Sequence, residues 1–333
     1  MNRAQALPPQ LDAADRALVD GVLARQLRPL AKTITLIESQ RADHQVRAQA
    51  VLDALLPHSG GAMRVGISGV PGVGKSTFIE ALGLYLIEQG LRVAVLAVDP
   101  SSSLSGGSIL GDKTRMERLS QNPAAYIRPS PSAGSLGGVA EKTRETLLVC
   151  EAAGFDVIIV ETVGVGQSET AVANMTDIFC LLQLPNAGDD LQGIKKGIME
   201  LADLVVVNKA DIDAAAAMRA QAQLKSALHM LRPTSPNWSP PVLTLSALKK
   251  QGIAEFWRTV CDYRDTMNRS GEFTAKRRRQ ALAWMWELID AGLRARFRSH
   301  PQVRAALPEL AEAVERGQTT PSAAALRLLQ HLN

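Results

Sequence analysis

Apolar positions recur along the chain with two different periods, and the change of period divides it into three zones. From about Leu11 to Leu56 the spacing is helical, with Leu11, Leu18, Val22 and Leu23 on one side, then Leu30, Ile34 and Ile37, then Val46, Val51 and Leu55. A helical N-terminal extension is therefore expected over residues 1–60. From Arg64 to about Leu245, the short runs "RVGIS", "RVAVLAVD", "DVIIVE", "DIFCLLQL", "DLVVVN" and "VLTL" alternate with helix-like segments. Runs with so little polar alternation fit strands buried on both faces. The spacing thus predicts an α/β domain over residues 61–251, a mostly parallel sheet flanked by helices. From Gly252 to Asn333 the pattern is helical again, and Leu282, Met285, Trp286, Ile289 and Leu293 form a stripe in "EFTAKRRRQALAWMWELIDAGLRARFRSH". Trp284 and Trp286 cannot share one helical face, so at least one is available to another subunit. "RPTSPNWSPP" reads as a loop before the last strand.

Composition removes several function classes. The chain has 333 residues, 46% of them hydrophobic, which is enough for a large core. Its 37 Lys and Arg stand against 33 Asp and Glu, a net charge of +4, so nucleic acid is not an expected partner. The three cysteines, Cys150, Cys180 and Cys261, lie far apart without a CxxC, which supports neither a disulfide framework nor a zinc site. "MNRAQALPPQLDAADRAL" lacks the apolar centre of a signal peptide, and no apolar run reaches bilayer length. A cytoplasmic protein with no membrane partner is expected. His44, His58, His229, His300 and His331 are scattered and make poor metal ligands, and "KRRR" (Lys276 to Arg279) fits a solvated helix face.

The first predicted strand runs into Gly69-Val70-Pro71-Gly72-Val73-Gly74-Lys75-Ser76, followed by Thr77 and a predicted helix. This is G-x-x-x-x-G-K-[ST] in the strand-to-helix context the motif requires, and it makes the α/β domain a P-loop NTPase. Glycines let backbone N–H groups turn in around a β-phosphate, the helix adds the positive end of its dipole, Lys75 neutralises β- and γ-oxygens, and Ser76 is an expected Mg2+ ligand.

A P-loop does not choose the base. "VVVNKAD" supplies Asn208, Lys209 and Asp211 at a strand end, the N-K-x-D pattern. The Asp211 carboxylate can accept from N1–H and N2–H2 of guanine, whereas adenine would leave it unpaired. Ser246, Ala247 and Leu248 follow the next strand, where their backbone N–H groups could bond guanine O6. GTP and GDP are the expected ligands. In "VIIVETVGVGQSE", Glu161 and Gly164 stand where many GTPases carry D-x-x-G, with glutamate in place of aspartate. Asp99 ends another strand and Asp112 sits in a Gly-rich loop; Asp99 is the first choice for a metal-shell role, and Asp112 is a second such acid or a switch residue.

Together with E-x-x-G, the runs "GGSILGDKTRM", "YIRPSPSAGSLGGVAEKTRE" and "PNAGDDLQGIKKGIMELADLVVVNKAD" resemble the MeaB/ArgK family of P-loop GTPases, the methylmalonyl-CoA mutase-associated G proteins. The likeness covers nearly the whole chain. It implies a chaperone whose GTP cycle gates adenosylcobalamin loading and protects or rescues an acyl-CoA mutase. It also implies a homodimer formed through the C-terminal helical arm, residues 252–333. Nucleotide contacts then fall on Gly69 to Thr77, on Asn208, Lys209 and Asp211, and on Ser246 to Leu248. The switch elements fall on the loop with Asp112, on Glu161 to Glu169, and on "GDDLQGIKKG" with Gln192, Lys195 and Lys196.

The residue that positions water for hydrolysis is not assigned by sequence. Val165 occupies the place of the glutamine found after D-x-x-G in Ras-like proteins, and Gln167, Asp112 and Lys196 are candidates. Slow basal turnover raised by a partner is expected. Two other classes stay open: a kinase of the ArgK type, for which no acceptor base is identifiable, and a metallochaperone GTPase, which lacks a ligand cluster. The client could also be a mutase acting on isobutyryl-, 2-hydroxyisobutyryl- or ethylmalonyl-CoA.

Overall fold

The computed structural model describes residues 11–98, 116–129, 136–162, 168–185, 196–231 and 234–332, with backbone alone for 136–139 and 196. By packing, the chain divides into two units, Met1–Phe273 and Thr274–Asn333.

In the first unit, seven strands form one sheet in the order β3-β2-β4-β1-β5-β6-β7. They are β1 (Met63–Gly69), β2 (Val93–Val98), β3 (Ala125–Arg128), β4 (Val157–Thr162), β5 (Ile178–Gln183), β6 (Leu204–Val207) and β7 (Val242–Thr244). Every pairing is parallel, as the polar-poor runs predict. The strand β3 was not expected. It lies at the sheet edge, and of its four residues only Ala125 is fully buried, so "AYIR" carries no apolar run to reveal it. Register sets Glu161 of β4 opposite Ile67 of β1 and Ala97 of β2. The carboxyl ends of these three strands therefore lie level with one another.

The helices Leu136–Ala152 and Ser168–Ala173 lie on one face of this sheet, and the N-terminal helices α1 (Ala13–Leu23), α2 (Leu27–Glu38) and α3 (Ala42–Leu55) pack over the helix Leu136–Ala152 on that side. Asp12 caps α1 by accepting from the Asp15 N–H at 2.7 Å. Leu30, Ile34, Ile37, Val51 and Leu55 are at most 1% exposed and share a core with Leu96, Val98, Ile158 and Val160 of the strands. Val46 departs from the expected pattern at 67% exposed; the buried face of α3 runs instead through Ala48, Val51, Leu52 and Leu55. A buried Asp15 pairs with Arg47 at 2.7 Å to tie α1 to α3, and Glu38 pairs with Arg128 to tie α2 to β3.

The opposite face is covered by α4 (Lys75–Glu88) and by the helix Ile253–Ser270. Phe78 and Phe256 meet edge to face with centroids 4.9 Å apart, and the Tyr263 hydroxyl donates to the Asp177 carbonyl at 2.9 Å. In the second unit, the helices Pro301–Glu315 and Pro321–Gln330 bury Val303 and Leu328. Along the helix Glu272–Ser299 the expected stripe is present but uncovered, with Leu282 59%, Trp286 60% and Leu293 59% exposed. No described helix is long and apolar enough to cross a membrane.

Candidate nucleotide-binding site

The loop Gly69 to Gly74 joins β1 to α4 at the centre of the sheet's carboxyl edge. Two glycines are dictated by crowding. A Cβ on Gly69 would lie 2.6 Å from the Leu182 carbonyl oxygen, and one on Gly74 would lie 2.8 Å from Asn208 Nδ2. Gly74 also adopts a left-handed conformation (φ 94°) as the N-cap of α4, and no side chain caps that end. The first N–H groups of α4 are thus presented at the loop with the positive end of the helix dipole, an arrangement suited to an anion. Lys75 Nζ lies over the same loop and donates to the Gly69 carbonyl at 2.7 Å. Val73 is fully buried beneath it, while Ser76 is half-buried and Thr77 is exposed.

Asn208 follows β6 and is 1% exposed. Its Nδ2 donates to the Val73 carbonyl at 2.8 Å, its Oδ1 accepts from the Ala247 N–H at 3.1 Å, and its own N–H donates to the Gln183 carbonyl at 2.9 Å. Asn208, which the sequence groups with the base readers, also acts as a strut that joins the phosphate loop to the loop after β7. A short amide at the end of a fully buried strand must find partners for both ends of its side chain, but which partners these are only the fold decides. Lys209, at φ 62°, donates from Nζ to the Gly72 carbonyl at 2.7 Å.

The acid of this motif behaves differently. Asp211 is not buried, and a hydrogen bond with the Ser246 side chain holds its carboxyl below the ordinary carboxylate range. It is therefore ionised and acceptor-only at neutral pH, the state that can meet two N–H donors on one base edge. Of the three backbone N–H groups expected to face O6, those of Ser246 and Ala247 donate inside the protein, to Gln251 O at 3.0 Å and Asn208 Oδ1 at 3.1 Å. Leu248, 77% exposed, is the remaining candidate.

On the metal side, Glu161 is 5% exposed at the end of β4, and the neighbouring Thr162 hydroxyl donates to Ser68 Oγ at 3.0 Å in the interior. Asp99, Asp112, Gly164, Val165, Gln167, Gln192 and Lys195 lie outside the described residues, as does the side chain of Lys196. Among the described residues, no group of three or more His, Cys, Asp or Glu side chains could hold a metal ion. A serine hydroxyl in the first turn of α4 and one carboxylate at the end of β4 fit a hard cation that keeps phosphate and water oxygens, and they do not fit an all-protein cage.

A family model described as methylmalonyl Co-A mutase-associated GTPase MeaB matches residues 30–302. The chain belongs to the MeaB family. Among MeaB-like relatives, GTPase ArgK of Escherichia coli is 53% identical over 77% of this chain and 78% of its own length. The mitochondrial methylmalonic aciduria type A homolog of Mus musculus is 48% identical over 94% of this chain and 78% of its own length. A crystal structure titled LAO/AO transport system kinase superposes with a TM-score of 0.78 at 38% identity, covering 97% of this chain and 99% of the other. This member of the MeaB family is a P-loop GTPase, and the guanine nucleotide is its ligand.

Proposed function

We propose that this GTPase is a nucleotide-controlled chaperone that gates adenosylcobalamin loading into an acyl-CoA mutase and protects or reactivates it. The match to a mutase-associated family over residues 30–302 carries this reading. Gly69, Val70, Pro71, Gly72, Val73, Gly74, Lys75, Ser76 and Thr77 hold the phosphates; Asp211 reads guanine with help from the Ser246 to Leu248 loop; Asn208 and Lys209 brace the two loops together. Ser76, Asp99, Asp112 and Glu161 would hold Mg2+, which when bound neutralises charge on the β- and γ-oxygens. Lys75 supplies a second positive charge there, and Gln167, Asp112 and Lys196 are the groups from which water positioning is drawn. Basal turnover is slow and the mutase raises it by ordering the switch loops. The exposed stripe on the helix Glu272–Ser299 supports homodimerisation through the C-terminal helices. A cytoplasmic location accords with three free thiols.

The deciding experiment mixes the protein with a cobalamin-dependent mutase in GDP and in a non-hydrolysable GTP analogue. A complex whose stability differs between the two, with faster GTP turnover in the mixture, is expected. Absence of a complex in both states, or transfer of labelled γ-phosphate onto a protein or small molecule, would overturn the reading. Base selection has its own test. Asp211→Asn replaces an acceptor oxygen with a donor, so preference is expected to move from guanine toward xanthine, whose C2 carries a carbonyl. In the wild type, guanine preference persists at neutral pH and fades only as pH falls through the lowered pKa of Asp211, measurable by nucleotide competition.

A further inference from the structure

The strand β1 interrupts its apolar run with a hydroxyl at Ser68, and β4 ends on a second hydroxyl at Thr162. Both are closed to water, at 1% and 0% exposed. A hydroxyl so placed is costly without a partner, and these two supply each other: Thr162 Oγ1 donates to Ser68 Oγ at 3.0 Å. Alanine and valine would fill nearly the same space without that need, so packing alone does not call for the pair.

Its place in the sheet gives the pair a use. The backbone ladder between β1 and β4 ends with Ile67 opposite Glu161. One residue further on, Ser68 stands in register with Leu181 of β5 and Thr162 with Val98 of β2, so each strand keeps only its other neighbour. The hydroxyl bond is what joins β1 to β4 at that level. From these two strand ends the phosphate loop begins, at Gly69, and the Glu161 side chain projects. Alternation sets the faces. Glu161 falls in line with Val157 and Ile159, which share a core with Phe78 and Ile79 of α4. Ser68 and Thr162 fall in line with Gly66, Ile158 and Val160 on the other face, where a Cβ on Gly66 would lie 3.0 Å from Val172 of the helix Ser168–Ala173. The bond thus lies behind Glu161, on the face away from α4 and Ser76.

We infer that Ser68 and Thr162 are positioning residues for GTP hydrolysis: their bond carries the β1–β4 pairing one residue beyond the backbone ladder and fixes the Glu161 carboxylate relative to Ser76. The inference rests on the proposed role of Glu161 and Ser76 toward Mg2+. It gives neither Ser68 nor Thr162 a contact with nucleotide or metal.

The test is single-turnover GTP hydrolysis by the full chain across a Mg2+ titration, with thermal unfolding alongside. The proteins compared are wild type, Ser68→Ala, Thr162→Val, the double variant of these two, Thr162→Ser and Glu161→Gln. Each single deletion leaves the other hydroxyl buried without its partner and should lower the unfolding midpoint, whereas the double variant leaves no orphan and should recover most of that loss. The rate should not recover with it. Both single deletions and the double variant are expected to slow hydrolysis about tenfold and to raise the Mg2+ concentration for half-maximal rate severalfold, since a misplacement of about 1 Å can cost on the order of a hundredfold. GDP affinity measured in EDTA should stay within about twofold, because Asp211 and the loop amides are untouched. Thr162→Ser keeps the donor and should restore most of the rate. A double variant that matches wild type in rate and Mg2+ midpoint, while Glu161→Gln shifts the midpoint, overturns the positioning role alone. A rate that recovers in step with the unfolding midpoint also overturns it, reducing the pair to a stabilising contact. An unmoved midpoint in Glu161→Gln overturns the metal reading instead. Where a single deletion does not fold, the double variant decides.

Discussion

The two helical ends of the chain carry the same sequence signal and meet opposite fates. Leu30, Ile34 and Ile37 of α2 recur at helical spacing and are at most 1% exposed, whereas Leu282, Trp286 and Leu293 recur at the same spacing and stay 59–60% exposed. Periodicity therefore reports that a face requires a partner, without reporting which chain supplies it. The N-terminal stripe finds its partner in the helix Leu136–Ala152 of its own unit, within a core that also takes in strands β2 and β4. The C-terminal stripe finds none of comparable size among the described residues, and a second copy is the proposed one.

The hardest blow to this contrast is a charge in each stripe. Ile34→Asp buries a carboxylate at a fully enclosed position and is expected to cost about 4 kcal/mol or more, read as loss of cooperative thermal unfolding. Ile289→Asp, at 39% exposed, should leave the unfolding midpoint of the isolated subunit nearly unmoved, within about 0.5 kcal/mol, while light scattering shows the dimer falling to monomer. If Ile289→Asp unfolds the chain, or leaves its mass in solution unchanged, the stripe does not serve a second copy. A finer comparison uses the caps. Asp12 accepts from Asp15 N–H at 2.7 Å and Thr320 accepts from Ala323 N–H at 3.2 Å, so each change to alanine should cost about 1 kcal/mol. The Asp12→Ala cost should appear in unfolding of the first unit, and the Thr320→Ala cost only in hydrogen exchange of the last helix.

What could be read from sequence follows the same logic. Six strands were legible because burial on both faces suppresses polar positions, and β3 was not, because an edge strand of four residues has no such constraint. The phosphate loop was legible because its glycines answer to local geometry: Gly69 and Gly74 meet Leu182 and Asn208 at distances only hydrogen allows. The strut role of Asn208 was not, since its partners Val73 and Ala247 lie far off in the chain and only the fold brings them together.

The two ends of the Asn208 side chain grip the cradle for phosphate and the wall beside the base at once. Neither can yield while the other stays put, so guanine and its phosphates should depart together, and stopped-flow release of a fluorescent GDP should follow a single exponential. Whatever hastens exchange must then loosen both places in one stroke.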